Sequence, residues 1–384
     1  FNMIEKTDEK TLAELISQIG ELDENRMEET KHRQDYLAKP PGSLGRLEEI
    51  SVKMAGIYGK VKTPVEKFAI AIMCADNGVV EEGVASAPQY VTLAQTINFT
   101  RRKTGVGTMA KHFNIPLLVI DVGVAMTIPE ALYTDSMLDE NGNIPKNIVN
   151  RRFSNGTKNL AKENAMTREE AVRAILVGIE AAKAIKDSGA DAFGVGEMGI
   201  GNTTSSSSVL CALTDLSPED IVGRGGGLKD DGLAKKVNIV RNAAKRCTEN
   251  RYDVIDILAS VGGYDICAMT GAFLGAGIYR LPVVVDGVIS IVAALVAKEL
   301  APNVVNFMFA SHKSKEVAYE RAMEILGLYP LFDLKMRLGE GSGCPIAFNI
   351  LETASAIICD MATFEEGEIN DDYMTEIRDK MLFS

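Results

Sequence analysis

Glu340 stands among three glycines, in the run Arg337-Leu338-Gly339-Glu340-Gly341-Ser342-Gly343. Glycine lacks a Cβ, so such a loop turns through positive φ and lets a ligand approach the backbone. Apolar Leu334, Met336 and Leu338 precede the acid, and Ile346, Ala347 and Phe348 follow it, which favours partial burial. Burial penalises the charged carboxylate and lifts its pKa above the free value of about 4.3, towards that of a general base. The same residues also suit a plain helix start, with Gly341-Ser342-Gly343 capping a helix that carries Ala347, Ile350 and Ala354.

A second glycine run, Gly194-x-Gly196-Glu197-Met198-Gly199, leads from an apolar stretch into the small-residue segment Asn202-Thr203-Thr204. Formally this is a dinucleotide fingerprint, which also wants an acid about 20 residues on, at the end of a second strand. Asp215 has nearly that offset, but Thr214–Glu219 reads as a turn and helix cap. A nicotinamide oxidoreductase is therefore the alternative reading, and NAD binding is its test. A third run, Gly223-Arg224-Gly225-Gly226-Gly227-Leu228, is followed by Lys235 and Lys236. Backbone amides with a lysine charge suit a phosphate; a flexible connector with solvated lysines explains the run equally well.

Along the chain lie the elements that must position these loops. Residues 8–37 read as helical, with Leu12, Leu15, Ile16 and Ile19 on one stripe. Lys39-Pro40-Pro41-Gly42-Ser43-Leu44-Gly45 breaks the chain, and a helix with Leu47, Ile50, Met54 and Ile57 follows. Continuous apolar runs at 68–74, 116–121, 281–286 and 304–310 read as buried parallel strands, and 190–204 reads as a strand running through the Gly194–Gly199 glycine loop into a helix. A helix is expected over about 92–112, a polar turn-rich insertion over 127–160, and a helix opened by Thr167 and Glu170. Asp286 reads as the cap of the helix after it, and His312 as structural. A long helix spans 343–365. The fold class is α/β: a Rossmann-like, mostly parallel sheet covered by helices on both faces. Residues 1–40 plus 344–384 are expected to form a small helical domain beside a catalytic domain of 41–343.

The chain has 384 residues and a formal net charge of −12, which excludes the basic face of a nucleic-acid binder. No apolar run is long enough to span a bilayer, no secretory signal is visible, and the six cysteines include no Cys-x-x-Cys pair. A cytoplasmic protein without a structural zinc is expected. Phe1-Asn2 ahead of Met3 reads as a vector remnant.

Six ordered motifs carry a resemblance. They are Lys39–Leu47, Ala75-Asp76-x-Gly78-Val79-Val80, Gly196–Thr204, Gly223–Leu228, Val285-Asp286-Gly287 and Gly339–Gly343. Over about 39–365 the chain resembles the nicotinate-nucleotide:dimethylbenzimidazole phosphoribosyltransferase (CobT) family, whose product is the lower-ligand nucleotide of cobamides. The resemblance implies transfer of ribose 5-phosphate from nicotinate mononucleotide to an aromatic acceptor, with no cofactor and no metal. It implies Glu340 as general base and Glu197 beside it. Gly199, Gly225, Gly226, Gly227, Lys236 and Ser311 would hold the nucleotide phosphate. Ala85, Ala87, Leu93, Met198 and Leu338 would line the acceptor site. A dimer is implied, homomeric or with a paralogous subunit.

The acceptor segment departs from the family. Gly83-Val84-Ala85-Ser86-Ala87-Pro88 places Ala85 where a Ser is usual and Ala87 where an aromatic ring is usual. Leu93 aligns with a Gln, Asn77 with a His, and Gln95 stands two residues on. Removing partners for a ring nitrogen relaxes selection for it. A phenolic acceptor such as phenol or p-cresol, used by a relative of this family, is therefore an expected alternative to dimethylbenzimidazole. A catalytically silent partner subunit is the remaining alternative; retention of Glu340 weighs against it.

Overall fold

The computed structural model describes residues 7–380; residues 1–6, Phe1-Asn2 among them, and residues 381–384 lie outside it. Eight strands build one sheet: β1 (Phe68–Ala75), β2 (Leu117–Gly123), β3 (Tyr133–Thr134), β4 (Ile148–Asn150), β5 (Ala192–Met198), β6 (Val283–Val285), β7 (Met308–His312) and β8 (Pro330–Phe332). Their order is β3-β4-β2-β1-β5-β6-β7-β8, and every neighbouring pair is parallel. The α/β class follows from the apolar runs: β1 and β2 are buried at every residue, as strands covered on both faces must be.

The chain moves outward from β1 through β2 to β4 and β3. It then returns to the other flank of β1 for β5, β6, β7 and β8. β1 and β5 pair in register, Ile72 beside Gly196 and Met73 beside Glu197. The order therefore reverses at β1 and β5, and such a switch point opens a crevice beyond the strands' carboxyl ends.

The Arg168–Asp187 helix opens with the expected capping box of Thr167 and Glu170. It packs against the buried helix Tyr264–Tyr279. Helices Glu24–Tyr36 and Arg46–Tyr58 pack on one another, and both touch Cys344–Asp360. That last helix lies on the sheet: Phe348 stacks on Phe68 of β1 with ring centroids 4.6 Å apart. Leu12 and Leu351 join the same hydrophobic core as the strands.

Four elements differ from the sequence expectation. Of the run 304–310, Pro302–Phe307 is a 3-10 helix opened by Pro302, and the strand β7 starts only at Met308. Residues 8–37 form two helices, Asp8–Ile16 and Glu24–Tyr36, because Asp23 caps the second by accepting from Arg26 N at 3.1 Å. The stretch 92–112 also divides, into Tyr90–Thr100 and Gly105–His112, with Arg102 at φ 58° and Thr104 capping through Gly107 N. Within 127–160, the short strands β3 and β4 extend one edge of the sheet. Among the described residues no helix is long and apolar enough to cross a membrane.

Candidate active site

A cleft of about 710 Å³ opens where the switch point predicts it. Its walls are the segments that follow β1, β5, β6, β7 and β8, so residues distant in sequence meet there. Glu340 lies on this wall with 6% of its surface exposed.

The Glu340 loop is built from left-handed backbone. Gly339, Glu340 and Gly341 have φ of 88°, 63° and 82°. Glycine adopts this without penalty, whereas a Glu there costs of order 1–3 kcal/mol and must be held by its surroundings. The holding groups are carboxylates. Asp286, at the end of β6, accepts from Gly341 N at 2.9 Å and Gly343 N at 2.8 Å. Glu197, at the end of β5, accepts from Glu340 N at 3.4 Å. The Glu340 side chain turns the other way, and its Oε2 accepts from Val106 N at 3.1 Å, at the start of the Gly105–His112 helix. That helix end carries positive partial charge. Burial raises the Glu340 pKa, and the Val106 and Gly105 amides moderate the rise.

The dinucleotide fingerprint has a different use here. Gly194 and Gly196 are inside β5, not on a phosphate loop. A Cβ on Gly196 would collide with the Glu340 carbonyl oxygen. The glycine is there so that the Glu340 loop can rest on the strand.

Beneath the loop is a second layer of buried acids. Asn202 donates through Nδ2 to Glu197 Oε2 at 2.5 Å and to Asp265 Oδ2 at 3.0 Å. Burial pushes Glu197 up to about 8, with the Asp265 charge adding to it. Burial likewise pushes Asp265 and Asp286 up to about 7. Glu197 and Asp286 line the cleft, where perturbed acids are candidates for function.

The same cleft also holds a buried lysine. Lys236 is 1% exposed, and its Nζ donates to Thr203 Oγ1 at 2.8 Å and Gly223 O at 3.0 Å. Burial pulls its pKa down to about 8. Among the described residues no carboxylate is in ion-pair contact with Lys236 and only the Glu316 charge acts on it from a distance, so an arriving anion would gain a close counter-charge there.

The cleft collects Glu340, Glu197, Gly199 and Lys236, and Gly225 and Gly226 beside the lysine. From the expected acceptor set it collects Ala85, Ala87, Met198 and Leu338. Three expected residues are elsewhere. Ser311 is fully buried in β7, with Oγ 2.9 Å from His312 Nδ1. Gly227 is exposed outside the cleft lining. Leu93 packs against the core while Gln95 lines the cleft; two residues on a helix lie roughly 200° apart. Asp286 does not cap the following helix, whose cap position is Gly287, but serves the Glu340 loop. Asp265, Asn202 and Val106 went unread. Asp265 carried a signal, as a lone acid in the otherwise apolar stretch from Tyr264 to Ala276.

Comparison with known proteins shows the family to which the chain belongs. A phosphoribosyltransferase family profile matches residues 19–369. The nicotinate-nucleotide–dimethylbenzimidazole phosphoribosyltransferase of Clostridium perfringens (strain 13 / Type A) is 49% identical over 372 residues, covering 97% of this chain and 99% of that protein. The protein of the same name from Acetivibrio thermocellus is 44% identical over 356 residues, covering 93% and 97%. The crystal structure of CobT from Thermus thermophilus superposes with a TM-score of 0.83 at 37% identity, covering 90% of this chain and 99% of that one. This chain is an enzyme, and it belongs to the nicotinate-nucleotide–dimethylbenzimidazole phosphoribosyltransferase family.

Proposed function

We propose that this enzyme transfers the ribose 5-phosphate of nicotinate mononucleotide to an aromatic acceptor, with Glu340 as general base. The observation that carries the reading is one cleft lined by both a buried, hydrogen-bonded carboxylate and a buried ammonium that has no ion-pair partner among the described residues. The Lys236 ammonium and the open amides of the Gly223–Gly226 loop take the 5′-phosphate. The acceptor nitrogen or oxygen attacks C1′ from the face opposite nicotinate and forms the new glycosidic bond. The electron pair of the old C1′–N bond returns to the pyridine ring, which leaves uncharged at nitrogen. Glu340 takes the proton that the acceptor gives up. Glu197 holds the Glu340 backbone amide.

The relatives' names support dimethylbenzimidazole as acceptor. Ala85 and Ala87 leave the acceptor wall small and apolar, which supports tolerance of p-cresol. A phenol has a pKa of about 10 and depends more on a base. Purified enzyme given nicotinate mononucleotide with equal dimethylbenzimidazole and p-cresol is expected to form both products; benzimidazole product alone overturns the phenolic part. Glu340→Gln keeps size and removes the proton acceptor, so kcat should fall roughly 10²–10⁴-fold with folding intact. A near-normal rate overturns the assignment, and an inactive isolated wild-type chain points to a partner-dependent subunit. The reading includes a dimer, supported by Leu338 and Val317, which line the cleft yet are 59% and 58% exposed; light scattering tests it.

A further inference from the structure

We propose that Asp286 is a positioning residue for the transfer, its carboxylate setting the backbone from which Glu340 reaches the cleft. The inference rests on the reading of Glu340 as the base. Buried amides need acceptors. Gly341 N and Gly343 N are enclosed, and Asp286 gives one oxygen to each, at 2.9 and 2.8 Å. The two bonds bracket Ser342 and begin at the residue after Glu340, so the loop cannot rotate about either one alone. Asp286 is itself fixed: it is 2% exposed, its own N donates to Ser290 Oγ at 3.0 Å, and it stands at the end of β6.

Among the described residues no cation competes for the carboxylate. His312 Nδ1 lies 3.7 Å from Asp286 Oδ1 and also meets Ser311 Oγ, while burial keeps the ring neutral by lowering its pKa. The other titratable groups around the clamp are Glu197 beneath the loop, Glu316, whose charge reaches Asp286, and Cys344 at the head of the next helix. Both oxygens are thus spent on the loop that carries the base. A left-handed Glu that is released relaxes toward ordinary backbone and moves its carboxylate. A misplacement of about 1 Å at a reacting group costs on the order of 10²-fold in rate.

Asp286→Asn keeps the shape but sets an amide donor against one loop N–H. It is expected to lower kcat roughly 10–100-fold while KM for nicotinate mononucleotide stays within about threefold. The acid limb of the kcat–pH profile should also move to lower pH, as Glu340 leaves its buried seat. The deciding measurement is the double-mutant cycle with Glu340→Gln. Asp286→Asn should cost less than about twofold in that background, because the group through which it acts is already gone. Additive losses, an unmoved acid limb, or an effect confined to KM overturn the proposal. Should the Asn variant not fold, Asp286→Glu, which keeps both acceptor oxygens, enters the same cycle, and additivity overturns the proposal there too. A full rate for Glu340→Gln alone would instead overturn the base assignment on which it rests.

Discussion

The two glycine loops of the cleft are made from the same residue type and are held in opposite ways. In the Gly339–Gly343 loop the amides of residues 340, 341 and 343 each reach a buried carboxylate. Gly341, Ser342 and Gly343 are all buried. In the Gly223–Gly227 loop residues 224–227 are exposed, and the internal bonds run from Gly227 N and Leu228 N back to Arg224 O. A Cβ on Gly227 would meet nothing within 4 Å. One loop is fixed before substrate arrives, as a proton acceptor must be to avoid reorganising during reaction. The other leaves its amides for an anion to gather. Under the proposed function, rigidity is placed where a bond changes and slack where the phosphate would be gripped.

The largest expected break in that contrast is Gly196→Ala. The added methyl meets the Glu340 carbonyl, which is backbone and cannot swing aside. Overpacking there should destabilise the fold by about 1–3 kcal/mol. Displacing the base should lower kcat on the order of 10²-fold. Chemical denaturation and steady-state kinetics check the two effects. A variant with normal kcat would show that the loop tolerates movement, and the contrast would lose its rigid half.

Lys236→Met sharpens the other half. A hydrogen bond to a charged group contributes about 1.5–3 kcal/mol, so kcat/KM for nicotinate mononucleotide should fall roughly 10–150-fold. Stability should hold or rise, because an unpaired buried ammonium is exchanged for an apolar side chain of similar length. The pH dependence has a definite sign. Lys236, pulled down to about 8, is charged below that value and neutral above it. Wild-type kcat/KM for the nucleotide should therefore fall as pH passes about 8, since that ratio reports ionisations of the free enzyme. The fall should vanish in Lys236→Met. A retained fall would assign the ionisation to another group.

How much of this was legible in the chain follows from its physics. The sheet was legible because fully buried parallel strands are unbroken apolar runs, as Phe68–Ala75 and Leu117–Gly123 are. The strands β3 and β4 were not, because two and three residues at a sheet edge carry no period. The break at Arg101–Thr104 carried a signal in Thr104 before Gly105, outweighed by the apolar residues on both sides. At the site, Glu340 and Lys236 were legible as charges beside glycines. Asp286 was misread because an acid ahead of a helix usually serves that helix. Its true partners lie 55 and 57 residues away and meet it only through the sheet. Ser311 was expected just past a strand end, but β7 runs on to His312, strand side chains alternate faces, and this hydroxyl points under the Glu340 loop.

The smallest expected effect belongs to Gly226→Ala, and it tests the slack itself. A Cβ at this position meets only Ser86 Oγ, at 2.7 Å, the end of a side chain that can rotate away. Ser86 is exposed, and Gly226 does not sit at positive φ. The cost in stability should therefore stay under about 0.5 kcal/mol, as for other surface substitutions. The methyl does crowd the amides that gather the phosphate, so KM for nicotinate mononucleotide should rise by a few fold, with kcat unchanged. Ser86 follows Ala85 on the acceptor segment, so moving it should also alter KM for dimethylbenzimidazole. Were Gly226→Ala to lower kcat as far as Gly196→Ala does, both loops would be equally fixed in the working enzyme. The difference in how they are held would then have no bearing on turnover.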